Sequence, residues 1–341
     1  MRGAVRSLRG LNDWRLWVGG VVTAVALAMI EANDLWATPG RQSFAIVKLT
    51  IYWGLWLLWP LALLFLLGLV SHLVRGRLLR AVWAMIALAV IGTLLWARFI
   101  EPNRLEVRET SVGTACRVRV ALVGDLHAGL FVRSAQLEQL VAALNALDVD
   151  AVLVAGDWTY EPKKDLRATF APLATLRHRT YAVLGNHDEQ HPGPPLQQAL
   201  RTTLQSMGVQ FVEGQRVTLG QCELIGLGDL WAGSTVRDLE LLGKSRPSKP
   251  ASQRVVLTHN PDTALDLDPS FAAVTLAAHT HGGQIDLPVL TDRVLAKLTR
   301  GGFKQGLYPL PSTKVFVTPG TGTSHLPLRL RVTPTIDVLA L

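Results

Sequence analysis

Cysteine is nearly absent from this chain: Cys116 and Cys222 are the only two in 341 residues. Neither has a second Cys or a His at zinc-finger spacing, which excludes a structural zinc module and a fold built on disulfides. Two buried thiols at strand positions are the expected arrangement, with a disulfide as the alternative for a domain outside the cytoplasm. Internal repeats and low-complexity tracts are also missing, so solenoid and disordered classes fall away. Acidic residues are scarce at one end. Residues 1–100 carry 10 Lys and Arg against 3 Asp and Glu, whereas residues 101–341 carry 24 against 23. The net charge of +8 therefore belongs to the N-terminal region. The remainder is close to neutral and offers no phosphate-tracking surface, so no nucleic-acid partner is expected.

What the chain has in excess is apolar sequence. Hydrophobic residues make up 49% of it, and eight of its 10 tryptophans precede residue 100. Three long apolar stretches lie there, at Trp17–Ile30, Leu49–Val70 and Ala81–Ala97. The second reaches the ~20 residues of a spanning helix, the third is close, and the first is short unless Glu31 and Ala32 sit at the interface. Trp14, Trp17, Trp36, Trp83 and Trp96 flank them as interfacial anchors do. No small-residue cleavage site follows Ile30. Arg2, Arg6, Arg9 and Arg15 precede the first stretch; Glu31, Asp34, Arg41 and Lys48 cancel between the first and second; Arg75, Arg77 and Arg80 separate the second and third. Basic, neutral, basic reads as inside, outside, inside, which places a domain after Arg98 outside the cytoplasm. If the first stretch does not span, the side reverses. The expected organisation is a transmembrane region over 1–98, a linker or first edge strand over 99–115, and a compact domain over 116–341.

Within that domain, five short motifs each follow a β-branched apolar run of strand character. Val118–Val123 leads to Gly124-Asp125-Leu126-His127, and Ala151–Ala155 to Gly156-Asp157. Tyr181–Leu184 leads to Gly185-Asn186-His187-Asp188, Val255–Leu257 to Thr258-His259-Asn260, and Val274–Ala278 to His279-Thr280-His281. Ligands at the carboxyl ends of neighbouring strands converge on one crevice. Carboxylate, amide oxygen and imidazole together suit hard or borderline divalent ions such as manganese, iron or zinc. Two such ions ~3.5–4 Å apart activate water near neutral pH and neutralise charge on a phosphoryl group. A helix after Ser134 as N-cap, another over Leu196–Met207, and antiparallel pairing among Val209–Val212, Val217–Leu219 and Leu224–Leu227 complete the reading.

The order of the five motifs resembles the calcineurin-like metallophosphoesterase superfamily. Ala278-His279-Thr280-His281-Gly282-Gly283-Gln284, Gly320-Thr321-Gly322-Thr323-Ser324 and Pro327-Leu328-Arg329 look like its YkuE/YaeI-type, often membrane-associated branch. The resemblance implies an α/β fold, the metallophosphoesterase αββα sandwich of two mixed sheets, preceded here by an N-terminal helical transmembrane region. It implies two divalent metal ions (Mn, Fe or Zn). Asp125, His127 and His281 would bind the first, Asp157 would bridge, and Asn186, His259 and His279 would bind the second. His187 would contact the phosphate and aid the leaving group, with Asp188 orienting its imidazole. Two positions depart from the pattern. Ala278 stands where the family has Gly, and Trp158-Thr159-Tyr160 lacks an acidic residue common after the bridging Asp.

The expected protein is a membrane-anchored two-metal phosphoesterase. Its partners are the lipid bilayer and a phosphodiester or phosphomonoester, with a lipid-linked one favoured by the anchor. The branch hints at pyrophosphate cleavage of UDP-diacylglucosamine, a cytoplasmic-face reaction that conflicts with the topology read above. The alternative is a catalytically silent membrane sensor or scaffold on the same fold, which an intact His187 and a complete ligand set argue against. A transporter is disfavoured by spans without intramembrane charges or inverted repeats.

Overall fold

The computed structural model describes residues 14–36, 42–189, 196–311 and 313–341; Arg2, Arg6, Arg9 and Arg41 lie outside them. Two compact units divide the chain, one holding the N-terminal helices through Glu101 and the other most residues from Pro102 onward. The N-terminal unit contains α1 (Trp14–Ala32), α2 (Gln42–Gly54), α3 (Leu58–Val74) and α4 (Leu78–Leu95). Among the described residues three helical stretches are long and apolar enough to cross a membrane: Trp14–Ala32, Phe44–Val74 and Leu78–Asn103. All three expected stretches are thus helical, and the first is longer than its apolar run because Glu31 and Ala32 continue the helix. The Trp53 indole donates to Glu31 and the Trp96 indole to Glu101, so the two acidic side chains at these helix ends are satisfied.

The second unit is built on two six-stranded mixed sheets. The first runs β1 (Glu106–Ser111), β14 (Thr335–Ala340), β2 (Arg119–Val123), β4 (Ala151–Ala155), β6 (Thr180–Val183) and β7 (Val209–Phe211). The second runs β12 (Gly306–Pro309), β13 (Lys314–Val317), β11 (Val274–Ala277), β10 (Arg254–Leu257), β9 (Cys222–Gly226) and β8 (Arg216–Leu219). A two-residue pair, β3 (Ala128–Gly129) with β5 (Thr159–Tyr160), lies apart from them in the hydrogen-bond pattern. Period-2 alternation divides the side chains. Val120, Leu122, Leu153 and Val183 face Leu224, Val255, Leu257 and Leu276 of the other sheet, while Ala121, Val123, Val152 and Val154 pack beneath the helix Ser134–Asn145. The five motif-bearing runs are β2, β4, β6, β10 and β11. Each pairs in parallel with at least one neighbour, and β2, β4 and β6 pair in sequence, as do β10 and β11. Their carboxyl ends therefore point the same way within each sheet.

Three expectations change. The helix after residue 133 is capped by Arg133, whose backbone N–H donates to the Gln136 side chain, and Ser134 is its first residue. Of the three later strands only β8 and β9 pair antiparallel; β7 joins β6 in parallel in the other sheet, because a helix over Gln197–Gln205 carries the chain across. Residues 106–111 are an edge strand of the first sheet, the second of the two readings given for that segment. Cys116 and Cys222 are joined in a disulfide, not left as two thiols, with their Cα atoms 5.5 Å apart. Both are buried, and the bond ties the segment before β2 to the start of β9 across the two sheets.

Asp337 on β14 is buried, and its Oδ2 has no partner. Burial pushes its carboxyl up to about 6, against the opposing pulls of the Thr318 side chain and Arg108. The folded state then holds a proton that the unfolded chain releases near its ordinary value. Stability falls as pH rises from about 4 to 6 and stays reduced above that. Asp337→Asn removes the loss, worth ~3 kcal/mol near pH 7. Thermal unfolding of the metal-stripped full chain in detergent should show an advantage for the variant at pH 7 that vanishes at pH 4. An equal advantage at both pH values would mean that the charge is not its origin.

Candidate metal centre

The motif side chains meet at the carboxyl ends of the parallel strands. His127 Nε2 lies 2.9 Å from His281 Nε2, and a ligand oxygen of Asp125 falls within 4.8 Å of both. Around the second focus, Asn186 Oδ1 is 3.1 Å from both His259 Nε2 and His279 Nδ1, and those two nitrogens are 3.1 Å apart. Asp157 Oδ2 stands between the foci, 3.5 Å from His127 Nε2 and 3.3 Å from His259 Nε2. All seven expected ligand residues are brought together, with Asp157 where a bridging group belongs. Asp125 differs in one respect: its carboxylate also falls within 4.8 Å of Asp157 and His259, so it borders both foci.

Five of the seven, Asp125, His127, Asp157, His279 and His281, have φ between 48° and 74°. Non-glycine residues rarely adopt this left-handed conformation, and each instance costs of order 1–3 kcal/mol. The strands end in tight turns that fold ligand side chains back over the sheet edge. Neighbouring glycines make room. A Cβ on Gly185 would lie 2.1 Å from Asp157 Oδ1. A Cβ on Gly124 would lie 2.6 Å from the Ala278 methyl, so glycine at 124 leaves space for the alanine that departs from the family pattern.

The electrostatics indicate a pocket short of positive charge. Burial pushes Asp125 up to about 7, against the lowering pull of His259. Burial lowers His127 and His279 to about 3, and His281 well below the usual range, which leaves neutral imidazoles with lone pairs available. His259 is the exception. Burial opposes its charge, but Asp157 raises it well above the ordinary value, and Asp157 is correspondingly held low despite its own burial. A proton on His259 does part of what a cation would do. The outer nitrogens fit the same reading: His259 Nδ1 is 2.7 Å from the Ala155 carbonyl and His127 Nδ1 is 3.3 Å from that of Thr159. These contacts fix the Nδ1–H tautomer and aim each Nε2 inward, as metal-binding histidines do. The donor set fits two divalent cations.

His187 stands beside the ligands. Its ring centroid is 5.1 Å from that of His127 and 5.1 Å from that of Tyr160, and its backbone N–H donates to Asp157 Oδ1. Asp188 acts less directly than expected. Its two oxygens accept from the backbone N–H groups of Gly185, Trp158 and Thr159 and from the Thr159 hydroxyl. It therefore fixes the two turns carrying Asp157 and His187, and orients the imidazole through the backbone. Burial and nearby Asp157 push its carboxyl up to about 7, against these donors.

The departure after Asp157 has a structural account. Trp158 is buried and its indole donates to the Val183 carbonyl; Thr159 serves Asp188; Tyr160 walls His127 and His187. Sequence reading missed Tyr160 as a wall of the site. It also missed the loop 228–233, which places half-exposed Trp231 with its ring centroid 4.4 Å from that of His279. A signal was present: Gly228-Asp229 follows an apolar run just as Gly156-Asp157 does. The late motif closes the first focus. Thr321 and Gly322 N–H groups donate to the Gly124 and Asp125 carbonyls, while buried Arg329 donates to the carbonyls of Pro319, Gly320, Gly322 and Val332.

Comparison with known proteins agrees with this geometry. The family described as calcineurin-like phosphoesterase matches residues 118–283. Residues 118–283 form a domain of this family. An uncharacterized metallophosphoesterase of Campylobacter jejuni, Cj0846, is 31% identical over 230 residues, which cover 66% of this chain but only 59% of that protein. Phosphodiesterase YaeI of Escherichia coli is 28% identical over 280 residues, covering 78% of this chain and 98% of YaeI. UDP-2,3-diacylglucosamine pyrophosphatase LpxG of Chlamydia muridarum is 24% identical over 304 residues, covering 70% and 89%. Calcineurin-like phosphoesterases use a dinuclear metal site, and the two foci described above contain side-chain groups that could hold metal ions.

Asp157→Asn should lower bound metal from two ions per chain to one or none and abolish hydrolysis, because a neutral amide cannot replace a charge shared by two cations. Metal analysis of the purified variant tests this. Two tightly held ions would remove Asp157 from the bridging position.

Proposed function

We propose that the protein is a membrane-held phosphoesterase whose dinuclear centre hydrolyses a phosphodiester or phosphomonoester at the bilayer, with a lipid-linked substrate favoured. The observation that carries this reading is the pair of foci sharing Asp157, with His187 beside them. Asp125, His127 and His281 would hold one ion, and Asn186, His259 and His279 the other. Bound there, two divalent ions supply a lowered pKa for the attacking water and positive charge for the phosphoryl oxygens. His187, half-buried beside the ligands, holds the proton that the departing oxygen needs. Tyr160 fixes the imidazole from one side, and Trp231 forms a rim for the rest of the substrate. Three apolar helical stretches support the anchor, and the activities that YaeI and LpxG are named for support a diester or pyrophosphate, lipid-borne in LpxG. An intact centre disfavours the silent sensor.

His187→Ala should keep both metals and lose ~10²–10⁴ in kcat, the usual range for a positioned acid or base. The loss should be smaller for bis-p-nitrophenyl phosphate than for an alkyl diester, because nitrophenolate needs little protonation. Retained turnover of both substrates would remove His187 from the chemistry.

Three observations support a catalytic unit outside the cytoplasm. The arginine flanks read inside, outside, inside. The Cys116–Cys222 disulfide suits an oxidising compartment. Leu35 and Trp36, directly after α1, belong to the catalytic unit, where the Trp36 N–H donates to the Pro162 carbonyl. Two crossings between residue 36 and residue 102, by the second and third stretches, would match that contact and put the basic Arg75–Arg80 loop on the side opposite the catalytic unit. An alkaline phosphatase reporter fused after Leu341 should be active, and silent in the Arg75–Arg80 loop. A silent C-terminal fusion would place the site in the cytoplasm and make a lipid-nucleotide substrate the leading candidate.

A further inference from the structure

The helix Leu290–Leu298 leads away from the metal centre and has two unlike faces. Thr291, Leu295 and Thr299, four residues apart, are buried. Leu290, Val294 and Leu298, at the same spacing and about 100° around the helix from that row, are 57%, 48% and 49% exposed. The turn before them adds Leu287 and Val289, 43% and 60% exposed. Five exposed aliphatic side chains within twelve residues are more than the scattered exposure of an ordinary surface. Arg293 and Lys297 lie on the same face, between the aliphatic positions, and both are exposed. Among the described residues neither has a carboxylate partner, whereas neighbouring Lys304 is taken up by Asp286 and Asp292. The helix is held to the centre with little play. The Thr291 hydroxyl donates to the Ile285 carbonyl and accepts from the Leu287 N–H, and a Cβ on Gly283 would lie 2.3 Å from the Thr291 methyl.

An aliphatic row with interleaved cations is the pattern of a helix lying in the interfacial plane of an anionic bilayer. We propose that this face docks on the membrane surface. Leu287, Val289, Leu290, Val294 and Leu298 enter the boundary between headgroups and acyl chains, and Arg293 and Lys297 meet anionic headgroups. The turn 282–289 then joins the membrane surface to His281. The proposal rests on the reading of a membrane-held chain.

The test uses the full chain in nanodiscs of phosphatidylcholine and phosphatidylglycerol. An NBD fluorophore is attached at Val294→Cys or, as a control, at Lys244→Cys just beyond the helix Ser234–Gly243. Turnover of bis-p-nitrophenyl phosphate equal to the parent's verifies that each variant is folded. Lipids with brominated acyl chains should reduce the emission at 294 by about twofold or more and leave 244 unchanged, as expected for a probe at the acyl boundary. Quenching should weaken in phosphatidylcholine alone. Absence of quenching in discs that carry the chain overturns the proposal and leaves the anchor intact. A blue-shifted but unquenched probe, lost when each disc holds one chain, would make the face a contact between copies and overturn it too. Quenching independent of phosphatidylglycerol overturns the part given to Arg293 and Lys297. A chain that fails to enter discs at all overturns the membrane reading and this one with it.

Discussion

Repulsion among buried ligand atoms is the constraint that the catalytic unit is organised to bear. Imidazole nitrogens face one another at 2.9 and 3.1 Å, with two carboxylates among them and almost no water to screen the group. Burial pushes the Asp125 carboxyl up to about 7, and Asp157 raises His259 well above its ordinary value despite burial. Such a cluster persists only because the surrounding backbone leaves it nowhere to relax. Breaking a buried charged group's partnership typically costs several kcal/mol, so any loosening of the frame would be felt directly as lost metal affinity.

The frame consists of strand ends, positive-φ turns and a few clasps. Parallel strands supply a common direction, and the left-handed ligand residues turn their side chains back across the sheet edges. Asp188 ties two of these turns, and the Arg329 guanidinium gathers four carbonyls behind a third. Each clasp is a buried charge satisfied almost wholly by backbone, which is rigid where a side-chain partner would not be. Conformational strain at the ligands is thus held by hydrogen bonds one layer further out.

Much of this was legible in the sequence for a simple reason. A ligand at the end of a buried strand leaves a local signature, an apolar run that ends in polar ligand residues, and all five motifs have it, three of them with a Gly at the junction. The family order then assigned the ligands to two ions. What was not legible depends on non-local geometry. Tyr160 and Trp231 reach the site from loops with no periodicity. Arg329 acts on residues that precede it in sequence by seven to ten positions but surround Asp125 in space. The parallel pairing of β7 was hidden because short apolar runs close together read equally well as a hairpin. The disulfide joins positions 106 residues apart, which spacing cannot suggest.

The strand order carries a consequence for how the chain comes to exist. The edge strand β1 pairs with β14 alone, and β14 separates it from β2. Residues 106–111 leave the ribosome long before the strand they must lie beside. If the unit is delivered across a membrane segment by segment, its first sheet cannot close until residue 340 has crossed, and the loop that clasps Asp125 is delivered only shortly before. The first focus of the metal centre can therefore be completed only after the loop 320–322 and β14 have been made, long after Asp125 itself.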